Sequence, residues 1–233
     1  RMRRVLVTGA NRGLGLEFTR QLLARGDRVI AACRQPKRAA VLNELARTHL
    51  GQLHLRPVDM SDPGSVAALA RETARLFDGL DLLINNAGML VSGERFGSVT
   101  ADALNASLHV NAAGPFLLTQ ALATALAKGN AAVVANLSSQ VGSIANTSGV
   151  HTPSYAISKA ALNMATVLLA HALKDDGVRV VALHPGWVKT DMGGNGAMLA
   201  APESVTWLLM AIDGLQLSDS GSFLDYRGQP LPW

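Results

Sequence analysis

Cysteine occurs once in this 233-residue chain, at Cys33, so no internal disulfide can form and no thiolate cluster can gather a metal. Aromatic residues make up only 4%. The net charge of +4 comes from basic residues scattered along the chain, apart from the Arg1-Met2-Arg3-Arg4 start. A nucleic-acid groove wants cations interleaved with aromatics, and that pattern is missing. Long apolar runs are missing too. The first, Val5-Leu6-Val7, is too short for a signal peptide or a membrane span, so no membrane partner is expected and the expected location is the cytoplasm. Arg1 precedes Met2, which reads as the natural start. Against these absences stand 48% hydrophobic and 16% charged residues, a balance that excludes disorder and calls for a heavily buried core.

The apolar residues are organised in two alternating ways. Short β-rich runs fall at 4–8, 28–33, 53–57, 80–85, 131–137, 179–184 and 222–225, giving seven expected strands. Between them, segments such as 14–25, 66–77, 116–127 and 155–173 repeat apolar residues at three- and four-residue spacing, the mark of helices. Strand and helix in alternation predict a doubly wound α/β fold of the Rossmann type, a seven-stranded parallel sheet with helices on both faces. A chain of this length forms one such domain, and no linker or internal repeat divides it. The most loop-like stretches, 89–100, 141–153 and 193–202, are where such a scaffold carries function.

Directly after the first expected strand comes Thr8-Gly9-Ala10-Asn11-Arg12-Gly13-Leu14-Gly15, with a helix beginning inside the run. Glycines at a strand-to-helix junction allow a tight turn at Gly9 and let the backbone at Gly13 and Gly15 approach a pyrophosphate, held on the free N–H groups of the helix start. At the end of the second strand, an acidic residue would suit a ribose 2′-hydroxyl; this chain has Cys33-Arg34. Arg34 with Arg12 suits a 2′-phosphate instead, which favours NADP(H) over NAD(H). Asp59, after the third strand and followed by Met60, either accepts from an adenine amino group or caps the next helix. Ser61 or Asp62 is the more natural cap.

Tyr155 and Lys159, four residues apart in Ser154-Tyr-Ala-Ile-Ser-Lys159, stack a phenol and an ammonium on one helix face. A cation that favours the phenolate is what brings a group titrating near pH ~10 toward neutral pH. Ser138 and Ser139 are adjacent at a strand end, so alternation lets only one of them reach a substrate. His109, His151 and His184 invite comparison with Ser-His hydrolases, but no G-x-S-x-G elbow is present and they read as structural or surface histidines. Trp187 packs either a substrate or lid, or the local core.

Taken together, Thr8–Gly15, Asn85-Asn86-Ala87-Gly88, Asn111, Ser139, Tyr155-x-x-x-Lys159 and Pro185-Gly186 closely resemble the short-chain dehydrogenase/reductase family, in its order and over essentially the whole chain. The 221–233 tail and Ser138-Ser-Gln-Val-Gly-Ser143 look most like its Sniffer-type carbonyl reductases and C-factor-like signalling proteins. The resemblance implies that Tyr155 is the general acid, that Lys159 binds the nicotinamide ribose and lowers the Tyr155 pKa, and that Ser139, second serine of the pattern, holds the substrate oxygen. It implies that Asn111 holds a water of a proton relay; the bland alternative is a helix cap or kink before Gly114-Pro115. Gly9, Asn11, Arg12, Gly13, Leu14, Gly15, Arg34, Asp59 and Met60 would bind the adenosine half. Asn85, Ala87 and Gly88 would line the adenosine-ribose side and support the sheet, and Pro185, Gly186, Val188 and Thr190, with Tyr155 and Lys159, would contact the nicotinamide half. The expected activity is NADP(H)-dependent reduction of aldehydes or ketones, or alcohol oxidation by the same residues, in a homodimer or homotetramer. The glycine-rich 192–201 segment would be a small mobile lid. The alternative is a signalling or cofactor-sensing protein on the same fold.

Overall fold

Alternation along the first strand decides the architecture: Val5 and Val7 point into one apolar layer and Leu6 into the other, so the sheet must be covered on both faces. The computed structural model describes residues 2–194 and 196–233. The reading of Met2 as a start, which turns on Arg1, and the part of the 192–201 segment at Asn195 lie outside the described residues.

The strands are β1 (Arg4–Thr8), β2 (Arg28–Cys33), β3 (Leu53–Pro57), β4 (Leu82–Asn85), β5 (Val133–Leu137), β6 (Arg179–His184) and β7 (Phe223–Asp225). They form one sheet in the order β3-β2-β1-β4-β5-β6-β7, and every pairing is parallel. Strands β4 and β5 begin two residues later than periodicity predicts. Leu80 instead donates to the Ala125 carbonyl, and Ala131 turns through a φ of 52°.

Helices α1 (Gly13–Ala24), α2 (Ala40–Thr48), α3 (Pro63–Leu76) and α4 (Ala101–Leu108) are followed by a π-helical turn at His109–Ala113, then α5 (Gly114–Ala121), α6 (Ala123–Ala127), α7 (Pro153–Ala172) and α8 (Ala201–Gly214). The single helix expected over 116–127 is therefore two, broken at Leu122. Phe18 and Leu22 of α1 and Val205, Leu208 and Ile212 of α8 fill one face of the sheet; Leu69 of α3, Leu118 of α5 and Leu169 of α7 fill the other. No helix among the described residues is long and apolar enough to cross a membrane.

The strand order reverses between β1 and β4, and the crevice above their C-terminal ends is where open α/β sheets take ligands.

Candidate active site

The glycine turn leaves β1 beside the end of β2, tied there by Ala10 N–H donating to the Ala32 carbonyl (3.1 Å). Gly9 and Gly13 have φ of 64° and 53°, a region where a side chain is strained. Gly15 also has a packing role: a Cβ there would lie 2.1 Å from the Gly9 carbonyl oxygen and 2.5 Å from Asn86 Nδ2, so only a hydrogen fits against the turn. Asn86, absent from the expected site, is the pin: its amide donates to the carbonyls of Thr8 (3.0 Å) and Gly9 (3.2 Å), while Thr8 Oγ1 accepts from the N–H groups of Asn86 and Ala87. The start of α1 has no capping side chain and no acidic residue in its first turn, leaving its N–H groups for an anion. Asn11 and Arg12 are exposed here, and Leu14 is half-buried.

Arg12 pairs with Asp191 at 3.0 Å, both side chains largely in solvent, an interaction of about 0–1 kcal/mol that a phosphate can displace. Arg34 is exposed at the end of β2 and close enough to Asp59 to help hold its carboxylate below the usual range; the main cause there is Ser61, which donates both its hydroxyl (2.6 Å) and its N–H (2.9 Å). Asp62, not Asp59, caps α3 by accepting from Gly64 N–H. Asp59 is thus already engaged on one oxygen, contrary to its expected freedom. Met60 is buried in the core, its carbonyl and side-chain tip packed against Gly114. Asn85 turns inward: its amide donates to Asn136 Oδ1 (2.8 Å) and Thr119 Oγ1 (3.3 Å), so its side chain supports the sheet, one of the two roles expected of it. Ala87 and Gly88 remain half-open there.

Alternation separates the two serines after β5. Ser138 Oγ is buried and donates to Asn163 Oδ1 (2.6 Å); Ser139 accepts weakly from Val141 N–H and stands beside the Tyr155 phenol. Lys159 Nζ lies 5.5 Å from the Tyr155 ring centroid and donates to the Leu137 carbonyl (2.7 Å). Burial drives the Lys159 pKa down to about 8. Tyr155 moves the opposite way from the expected one. Burial pushes it up to about 12, against the hydrogen bond with Ser139, while Lys159 gives its hydrogen bond to the Leu137 carbonyl. Asn111 sits in the π-helical turn, fully buried. Its amide donates to the Met89 carbonyl and Ser158 Oγ and accepts from Met89 N–H, all at 2.9 Å, and Ser158 Oγ donates on to the Tyr155 carbonyl (2.8 Å). The side chain is thus committed within the protein, and Pro115, four residues on, has no N–H to offer the Asn111 main-chain carbonyl. Gly88 keeps this corner open, since a Cβ there would meet Asn111 Oδ1 at 3.4 Å and Lys159 Nζ at 3.9 Å.

The far wall begins at Pro185, whose carbonyl takes the Ser204 hydroxyl (2.6 Å), and Gly186, at φ 82° against Leu199 and Tyr226. Val188 is buried, and Thr190 reaches back to within 3.5 Å of a Cβ built on Gly13, so the two ends of the crevice meet. The following segment is tied back to this wall. Leu199 N–H donates to the Trp187 carbonyl, Lys189 N–H to the Leu199 carbonyl, and the Trp187 indole to the Gly193 carbonyl (2.9 Å), so Trp187 packs with the 192–201 segment. The 143–152 loop is tied to the chain's last residues. Ser143 Oγ donates to the Pro232 carbonyl (2.7 Å), Ala145 N–H donates to the Trp233 carbonyl (2.8 Å), and Trp233 stacks on Phe223. His184, half-buried at the end of β6, is held near pKa 4 mainly by burial, against the pull of Asp225.

A doubly wound sheet whose glycine turn, open helix start, phenol and buried ammonium share one edge defines a dinucleotide-dependent oxidoreductase scaffold. The chain belongs to the short-chain dehydrogenase family: the family model for short chain dehydrogenases matches residues 3–197. It is similar to the NADPH-bound carbonyl reductase from chicken fatty liver, with 39% identity, a TM-score of 0.93 and both chains covered in full. It is similar also to the carbonyl reductase Sniffer of D. melanogaster, with 34% identity, a TM-score of 0.94 and full coverage of both. Among curated proteins it is 42% identical to the C-signal of Myxococcus xanthus over 154 residues, 66% of this chain and 93% of that one.

Proposed function

We propose that this oxidoreductase uses NADP(H) to reduce aldehydes and ketones, with Tyr155 as the proton donor. One observation carries the reading: a half-buried phenol with a raised pKa stands between a serine hydroxyl and a buried ammonium at the mouth of the crevice. The residues fit the cofactor. The uncapped start of α1 offers N–H groups to its pyrophosphate, Gly13 and Gly88 leave the crevice free of side chains, and Lys159 has donors left after its one hydrogen bond to Leu137. Arg12 and Arg34, with no acidic residue directly after β2, support the 2′-phosphorylated form, as does the NADPH bound by the similar avian reductase. When bound, the nicotinamide supplies the hydride.

The protein supplies orientation and the proton. Ser139 donates to the carbonyl oxygen of the substrate and so offsets the alkoxide charge that develops there. Tyr155, with a pKa of about 12, is a neutral phenol throughout the physiological range and therefore holds the proton that reduction needs. Lys159, near 8, is cationic at neutral pH, so return of a proton toward a Tyr155 phenolate runs downhill. A water held at Asn111 would replenish that proton. The exposed stripe of Ile157, Met164 and Leu168 on α7, beside Leu117 of α5, supports a homodimer across this face, which sedimentation would detect.

The similarity to the C-signal supports a second reading, a signalling or cofactor-sensing protein. Fluorescence titration with NADPH and with NADH, followed by absorbance loss across aldehydes, ketones and quinones, separates them. Tight NADPH binding with turnover fits the reductase; binding with no turnover of any carbonyl fits the sensor.

A further inference from the structure

We infer that Glu94 is a positioning residue for Tyr155, acting through the first turn of α7 and setting kcat rather than substrate affinity; the inference rests on the reductase reading above. Glu94 lies on the 89–100 loop, 60 residues before the partner it grips, and it is one of the few buried carboxylates, 8% exposed. Oε2 accepts from Ser154 N–H at 2.7 Å and Oε1 accepts from Ser154 Oγ at 2.6 Å, so both oxygens grip the residue immediately before Tyr155.

The helix start explains why a distant residue does this. Thr152 stands at the capping position, but its φ of 42° goes with no side-chain capping bond. Pro153 has no N–H, which makes Ser154 N–H the first donor of the helix that needs a partner. A carboxylate at a helix start also meets the positive end of the helix dipole. The cap is therefore delegated to a residue 60 positions upstream in the chain.

The loop is tethered a second time, five residues earlier. Met89 exchanges two hydrogen bonds with the Asn111 side chain, and Asn111 reaches the Tyr155 carbonyl through Ser158 Oγ. Tyr155 is thus held from both sides: residue 154 by Glu94, and its own carbonyl by the Met89–Asn111–Ser158 chain. Removing Glu94 releases one side only. The phenol would then sample positions away from Ser139 while the glycine turn and Lys159 stay in place. A misplacement on the order of 1 Å costs as much as about a hundredfold in rate.

The test compares wild type with Glu94→Ala and Glu94→Asp, reading kcat and KM for a reducible aldehyde, the NADPH Kd, and hydrogen exchange of the α7 amides. Glu94→Ala is expected to lower kcat about ten- to a hundredfold, leave KM and Kd within about twofold, and speed exchange at Ser154. Glu94→Asp, with the charge kept but the reach shortened, should fall between, and it decides the matter if the alanine variant does not fold. A lower melting temperature with an unchanged kcat well below it would reduce Glu94 to a structural cap and overturn the inference. Tyr155→Phe, run alongside, keeps the two claims apart. If it leaves turnover intact, Tyr155 is not the proton donor and the Glu94 inference falls with that role; if it ends turnover while Glu94→Ala keeps the wild-type kcat, the Tyr155 role stands and the Glu94 inference alone falls.

Discussion

Replacing Lys159 with methionine should stabilise the protein at neutral pH while ending its chemistry. The ammonium is 4% exposed, and burial lowers its pKa from an ordinary 10.5 to about 8. At about 1.36 kcal/mol per pH unit, holding that charge costs the folded state about 3 kcal/mol. Methionine removes the charge but strands the Leu137 carbonyl that Nζ serves, a loss of about 1 kcal/mol. The net expectation at pH 7 is a gain of about 2 kcal/mol. The sign follows from proton counting. Between pH 8 and 10.5 the unfolded lysine binds more protons than the folded one, so wild-type stability rises with pH across that window. The penalty is fully present below about pH 8 and gone above 10.5, so the variant's lead should vanish there. Urea unfolding of both proteins at pH 7 and pH 10 reads this directly. A variant less stable than wild type at pH 7, or a difference that ignores pH, would refute the claim that Lys159 is held as a strained, desolvated cation.

Gly15→Ala should cost about 3 kcal/mol or more, because its Cβ would strike the Gly9 carbonyl oxygen and the Asn86 amide, both fixed. Thermal unfolding checks the stability, and NADPH titration should show weakened binding as the turn shifts. Arg34→Ala should raise the NADPH Kd about tenfold and leave NADH binding nearly unchanged, the loss of one charge-assisted phosphate contact. Parallel titrations decide it, and equal losses for both cofactors would remove Arg34 from the 2′-phosphate site.

Where the pattern of residues was itself the physical cause, the sequence was enough. Val5, Leu6 and Val7 alternate because the sheet has two buried faces, so strand positions and parallel order followed from periodicity. The adjacent serines parted to opposite sides for the same reason. Helix α8 was legible too, in the helical spacing of Val205, Leu208, Leu209 and Ile212, but was not marked out. At 9 and 8 residues, α2 and α4 were too short for periodicity to speak. Contacts between distant segments were invisible. Asn85 and Asn86 differ only in the face that alternation gives them: Asn85 supports the sheet, as expected, while its neighbour pins the glycine turn, which no local pattern announced. Glu94 left no local signal, since its partner is 60 residues away. The Tyr155 pKa could not be read from a Tyr-x-x-x-Lys spacing, because burial, rather than the lysine four residues on, governs it.

The central claim is that Tyr155 donates the proton, and the direct measurement is NADPH oxidation by an aldehyde in wild type against Tyr155→Phe, with NADPH binding measured in both. The account predicts that phenylalanine, which keeps the ring and loses the hydroxyl, leaves the NADPH Kd within about twofold and cuts kcat by about a hundredfold or more. Turnover by Tyr155→Phe at the wild-type rate would contradict it.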